Sequence, residues 1–229
     1  MIWQARAITA AIVDLDGTLL DTAGDFEVAL RLMLADLGWP PVGRAFILRT
    51  VGQGSEHLLK RTLAEVGAPA DRYADAWRGY QHHYRLINGR HAAVYPGVVE
   101  GLHAMRAAGW RLVCLTNKPG AFARPLLAQK GLDGYFDHVF GGDAFPEKKP
   151  HPLPLLKACE ALGSLPAHTL MVGDSSNDAQ AARAAGCPVV LMRYGYNHGQ
   201  PVEAAGADAL LDRLDQLRCV EAPGPQRRG

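Results

Sequence analysis

The sequence is poor in cysteine, and the four it has (Cys114, Cys159, Cys187 and Cys219) are widely spaced, with no CxxC among them. That pattern speaks against a zinc ribbon or a disulfide framework and suits a reducing cytoplasm. The nine histidines show no HxxxH or HExxH spacing, which removes the familiar zinc-hydrolase signature. Excess charge of either sign is also lacking: the formal net charge is +1, so there is no electrostatic case for nucleic acid or an anionic membrane as a partner. No apolar run approaches the ~20 residues that span a bilayer. The N-terminal stretch MIWQARAITAAIVDLDGT has one Arg and a short apolar run without a small-residue cleavage site, so it reads as a first strand rather than a leader. No internal repeat is visible. What is left is a globular chain of 229 residues, 48% hydrophobic and 21% charged, long enough for one large domain or a core with a smaller insert.

The most informative stretch is Ala10 to Thr22, AAIVDLDGTLLDT. Four apolar residues run straight into Asp14, and Asp16 follows after a single leucine. Strand alternation points both carboxylates the same way. Packing gives no reason for that, because a buried carboxylate is costly without a partner and two like charges repel. A positive group, or a proton on one of them, is expected there.

Beyond Asp21 the periodicity turns helical. Phe26, Leu30, Met33, Leu34 and Leu37 share one face, and Gly38 with Pro40-Pro41 ends it. A second helix follows Gly52–Ser55, and a third carries the stripe Tyr73, Trp77, Tyr80 and Tyr84, read as core packing between helices. From Tyr95 onward helices and short apolar strands alternate: WRLVCLT, HVFGG, TLMVGD, PVVLM and ADALL, separated by helical stretches. Such alternation calls for a mostly parallel sheet covered on both faces. The expected organisation is an α/β core (1–20 and 92–220) interrupted by a helical insert (21–91). The Pro- and Gly-bearing tail (221–229) is expected to be disordered.

Ligands of an open parallel sheet bind beyond the carboxyl ends of its strands. Three runs here end in polar residues at that edge: Asp14, then Thr116-Asn117, then Asp174, with Asp178 four residues on. Glu147-Lys148-Lys149-Pro150 lies between the last two. A hard divalent cation such as Mg²⁺ would relieve the repulsion between Asp14 and Asp174, since it prefers a few carboxylates together with phosphate oxygens.

DLDGT, then TN after a hydrophobic strand, then KKP, then GDSSND resemble the four motifs of the haloacid dehalogenase superfamily in their usual order, over almost the whole chain. TNKP, YFDHVFGGD, KPHPLPLL and GDSSNDAQAARAAGCPVVLMRYGYNHG resemble its phosphoglycolate phosphatase branch in particular. The resemblance implies a Rossmann-like α/β core with a helical cap inserted after the first strand. It also implies a Mg²⁺-dependent phosphomonoester hydrolase acting on a small phosphorylated metabolite, best matched by 2-phosphoglycolate. Another small ester or a catalytically silent relative is the alternative, and the assembly expected is a monomer or homodimer. By the same resemblance, Asp14 is the nucleophile and a metal ligand, and Asp16 is the general acid and base with its backbone carbonyl on the metal. A protonated Asp16 would need its proton affinity raised by Asp14 and partial burial. Thr116 with Asn117 would hold the phosphoryl oxygens, Lys149 rather than Lys148 would neutralise charge, and Asp174 and Asp178 would hold Mg²⁺ directly or through water. For the substrate's second anion, Gly52-Gln53-Gly54-Ser55 offers free backbone N–H groups at a helix start, with Arg49, His57, Lys60 and Arg61 nearby. Equally, it is a flexible turn with Ser55 as helix cap.

Overall fold

A computed structural model describes residues 8–217 of the chain. The tail expected to be disordered, and Cys219, lie outside the described residues. The centre is a six-stranded sheet built from β1 (Ala10–Val13), β4 (Arg111–Leu115), β5 (His138–Phe140), β6 (Thr169–Gly173), β7 (Val189–Met192) and β8 (Ala209–Leu211). Its order is β5-β4-β1-β6-β7-β8 and every pairing is parallel.

β1 is central because it is apolar on both faces. Ala11 and Val13 join one core with Leu102, Met105, Leu112 and Val172, while Ala10 and Ile12 join the other with Val113, Leu155, Leu162 and Met171. Each fully buried aliphatic side chain of this size contributes about 2 kcal/mol, and a charge at Ile12 would break the second core outright. Four helices cover the sheet: α5 (Val98–Ala107), α6 (Gly120–Gln129), α7 (Leu153–Leu162) and α8 (Ser176–Ala185). Register places Val13 level with Cys114 and Val172, so β1, β4 and β6 end at one edge. Cys159 and Cys187, 28 residues apart in sequence, bring their buried sulfurs to 3.9 Å as a thiol–thiol hydrogen bond, not a disulfide.

The insert holds α1 (Ala23–Asp36), α2 (Arg44–Thr50), α3 (Ser55–Glu65) and α4 (Tyr73–Ile87) around a core of its own. α1 and α4 meet through the predicted stripes, with the Phe26 and Tyr84 rings 5.3 Å apart. Gly38 (φ +79°) and the prolines after it stop α1 where expected. α2 was not anticipated; with seven residues it is too short to show a period. Nor was the antiparallel pair β2 (Leu20–Asp21) with β3 (Ala93–Val94), through which the chain leaves and re-enters the core. Asp25, fully buried, closes the same neck by accepting hydrogen bonds from the N–H groups of Gly89 (2.6 Å) and His91 (2.8 Å).

Candidate active site

Asp14 leaves β1 with its N–H donated to the carbonyl of Val172 (2.9 Å), which anchors the strand tip against β6. The chain then turns: the N–H groups of Leu19 and Leu20 both reach back to the Leu15 carbonyl at 3.0 Å. Gly17 sits at φ +85°, and any Cβ there would collide with the Asp174 carboxylate, so this turn needs glycine on both counts. The turn in turn presents the Thr18 hydroxyl, which donates to Asp174 Oδ1 at 2.9 Å.

Three buried carboxylates converge behind this turn, with one cation among them. Lys149 Nζ stands 3.0 Å from Asp14 Oδ1 and 2.7 Å from Asp178 Oδ1, and it also donates to the Leu115 carbonyl at 2.9 Å. Burial pushes the Asp14 carboxyl up to about 7, with Lys149 opposing and Asp178 reinforcing the push. Asp174 is held well above the usual carboxylate range, first by burial and then by Asp178 and Asp14. Burial pulls the Lys149 ammonium down, but Asp14 and Asp178 outweigh it and raise it above the usual lysine range. Lys148, by contrast, is turned outward and pairs with Glu56 at 3.2 Å.

The donor set fits a hard divalent cation. Oxygens of Asp14, Asp174 and Asp178 all lie within 4.8 Å of one another. Among the described residues Asp14 Oδ1 is buried with no partner apart from the Lys149 ammonium 3.0 Å away. Asp174 accepts one bond on each oxygen, from Thr18 and from the Tyr196 N–H at 2.8 Å. Asp178 is different. Its Oδ2 takes the N–H groups of Asp174 (3.2 Å) and Ser175 (3.1 Å) and the Ser175 hydroxyl (2.9 Å), while its Oδ1 takes Lys149. A carboxylate oxygen has about two acceptor positions, so Asp178 Oδ2 is saturated and only Oδ1 keeps one. Asp14 and Asp174 are the less occupied carboxylates; Asp178 also caps α8 and fixes Lys149.

Asp16 points to the other side. Its Oδ1 accepts the Thr22 hydroxyl at 2.7 Å, and Lys118 Nζ donates to Oδ1 at 2.8 Å and to Oδ2 at 3.1 Å. Asp16 thus has an ammonium of its own, apart from the Asp14, Asp174 and Lys149 cluster. Lys118 is buried, with Nζ 4.5 Å from the Phe26 ring centroid and 5.0 Å from that of Tyr84.

A narrow pocket, partly open to solvent, lies between these strand tips and the insert. Asp14, Asp16, Thr116, Asn117 and Lys118 form its floor, and Phe26, Gly52, Gly54, Ser55, Tyr80 and Tyr84 lie on the insert side. Thr116 is buried, and its Oγ1 accepts the Lys118 N–H at 3.2 Å. The Asn117 side chain is a clamp: Nδ2 donates to the carbonyls of Gly52 (2.9 Å) and Lys149 (2.8 Å), and Oδ1 accepts the Lys149 N–H (3.1 Å). Its amide is thus spent on holding two loops, and what Asn117 offers the pocket is its backbone and the position of those loops.

Residues 8–186 match haloacid dehalogenase-like hydrolases. The chain belongs to that family. Among relatives of this hydrolase, the phosphoglycolate phosphatase of Thiobacillus denitrificans is 47% identical over 210 residues, covering 90% of this chain and 92% of its own. The plasmid-borne phosphoglycolate phosphatase of Cupriavidus necator is 45% identical over 216 residues, 94% of both chains. The crystal structure of a predicted phosphoglycolate phosphatase from Haemophilus somnus 129PT superposes with a TM-score of 0.89 at 31% identity, covering 92% of this chain and 96% of its own. CbbY from Rhodobacter sphaeroides, solved in complex with phosphate, gives 0.78 at 26% identity, with 92% and 96% covered.

Not every residue singled out from the sequence reaches this hydrolase's pocket. Gln53 is exposed and absent from the lining, and Arg49 and Lys60 are exposed as well. Gly54, not Ser55, is the N-cap of α3; Ser55 is its first helical residue and makes no side-chain cap bond. Gly52 turns its carbonyl to the core, accepting from Asn117 and from Asn177 Nδ2 at 3.2 Å. Lys118, Tyr80 and Tyr84 were missed as pocket residues. For Lys118 the only signal was a lysine directly after a polar strand tip.

Proposed function

We propose that this hydrolase removes phosphate from 2-phosphoglycolate, releasing glycolate, by passing the phosphoryl group through Asp14. The observation that carries the proposal is Asp14 Oδ1: a buried carboxylate oxygen on the pocket floor whose one close partner among the described residues is an ammonium 3.0 Å away. That is what a nucleophile needs, namely an unencumbered lone pair and a nearby positive charge to offset the incoming phosphate. Asp14 Oδ1 attacks phosphorus, and the phosphorus–oxygen bond to the glycolate oxygen breaks. Asp16 gives that oxygen a proton, then takes one from the water that attacks phosphorus and frees Asp14 as carboxylate. Thr116 holds phosphoryl oxygens and Lys149 balances their charge. Mg²⁺, held by Asp14, Asp174 and the Asp16 carbonyl, supplies charge neutralisation and orientation when bound. Asp178 supports it through Ser175, Asp174 and Lys149 rather than by ligation.

Residues 21–91 act as a cap over a core that includes 8–20 and 92–217, excluding macromolecules and water during transfer. The similarity to named phosphoglycolate phosphatases over nine-tenths of the chain supports the substrate. Free thiols at Cys114, Cys159 and Cys187 agree with a cytoplasmic enzyme, and among the described residues no helix is long and apolar enough to cross a membrane. The test is a kinetic screen of phosphomonoesters with Mg²⁺ and with EDTA. 2-Phosphoglycolate should give the highest kcat/KM and EDTA should abolish it. A sugar phosphate or nucleotide preferred tenfold or more would reassign the substrate.

A further inference from the structure

The pocket contains three groups that phosphoryl transfer leaves unused. Tyr80 and Tyr84, from successive turns of α4, are 0% and 1% exposed, and both line the pocket. Among the described residues neither hydroxyl meets the geometry of a hydrogen bond, although the Ser55 side chain lies near enough to Tyr80 to favour its charged form slightly. Burial holds both phenols above the usual tyrosine range, so they stay protonated and can donate. A buried hydroxyl without a partner is unfavourable, and a ligand acceptor would relieve it. The third group is Lys118, which directs two donors at Asp16 and has three.

We infer that Lys118, Tyr80 and Tyr84 form a receptor for a carboxylate at the far end of the phosphate ester. The inference rests on the phosphoglycolate reading and names the residues that would impose it. Charge favours a carboxylate over a second phosphate, because Lys118 is the one cation among the lining residues, and a buried dianion would be left in excess. Donor chemistry favours it over a sugar hydroxyl: phenols and an ammonium offer hydrogens to a group that only accepts. Position favours a short ester. Lys118 follows Thr116 by two residues and bonds Asp16, itself two residues past Asp14, so the receptor lies one carboxylate away from the nucleophile. The rings hold it in place: Tyr84 stacks on Phe26 and on Tyr80, each at 5.3 Å, and Lys118 lies against Phe26 and Tyr84. The Gly52–Ser55 turn then supports the receptor instead of forming it, since Gly52 presents its carbonyl to Asn117 and Asn177.

Calorimetry on the Asp14→Asn protein with Mg²⁺ separates binding from turnover, using 2-phosphoglycolate and ethyl phosphate, its counterpart without the carboxylate. The parent should bind 2-phosphoglycolate at least about tenfold tighter, the scale of one hydrogen bond to a charged group. Adding Tyr80→Phe with Tyr84→Phe, which keeps both rings, should reduce that preference about tenfold or more. Lys118→Met should do the same, and Lys118→Arg should restore part of it. Equal binding of the two esters by the parent, or a preference that survives these variants, would overturn the receptor. Should the wild-type enzyme turn over neither ester, the proposed reaction fails, while the calorimetric comparison still decides the receptor.

Discussion

Removing metal should make this protein less stable as pH rises, and Asp14 should be a main reason. Its carboxyl stands at 3.8 in the unfolded chain and about 7 in the folded one. Below 3.8 both forms are protonated and nothing is lost. As pH rises the unfolded chain ionises first, so stability declines through the interval and the loss is complete above about 7. Moving one carboxyl across that interval corresponds to about 4 kcal/mol, a large part of the 5–15 kcal/mol typical of a domain. Asp174, raised for the same reasons, pushes the same way. Lys149 does not offset this, because a lysine raised above its usual range loses its contribution only at alkaline pH. Thermal unfolding in EDTA from pH 4.5 to 8.5, wild type against Asp14→Asn, isolates the Asp14 share. At 2–4 °C per kcal/mol for a chain of this size, the variant should unfold roughly 10 °C above wild type at pH 8, with the gap closing towards pH 5. Saturating Mg²⁺ should stabilise wild type most at the alkaline end, where the ligands are ionised. A gap that does not change with pH would refute the reasoning.

The two neighbouring lysines should behave differently. Lys149→Ala leaves Asp14 and Asp178 buried without their cation and should lower kcat/KM by about 10²-fold or more, whereas Lys148→Ala breaks only a half-exposed pair with Glu56 and should change it less than about threefold. The reverse order in steady-state kinetics would mean that the roles of the two lysines are exchanged. For Asp16→Asn, activity should fall at least about tenfold more on alkyl phosphates than on p-nitrophenyl phosphate, whose leaving group needs little protonation. Equal losses would remove Asp16 as proton donor.

The strand tips were legible because apolar runs that end in carboxylates have few explanations, and register alone brings Asp14, Thr116 and Asp174 to one edge. Lys149 was legible by its place before proline, and the structure gives the physical distinction: it is buried against two carboxylates, and Lys148 is not. What stayed hidden depends on where side chains reach. That Asp178 is the most heavily hydrogen-bonded of the three carboxylates shows only once its partners are in view. Tyr80 and Tyr84 do form the core stripe that their spacing suggested, and spacing cannot tell that their hydroxyls end at a pocket without partners. The pairing of Lys118 with Asp16 joins residues 102 apart in the chain, and no local pattern encodes it.

The central claim is that Asp14 carries the phosphoryl group, and the most direct measurement is the turnover of Asp14→Asn on 2-phosphoglycolate with Mg²⁺, alongside a circular dichroism spectrum. The amide is nearly isosteric with the carboxylate, so the spectrum should match wild type while kcat falls at least about 10³-fold. A folded variant that keeps kcat within tenfold of wild type would contradict the account.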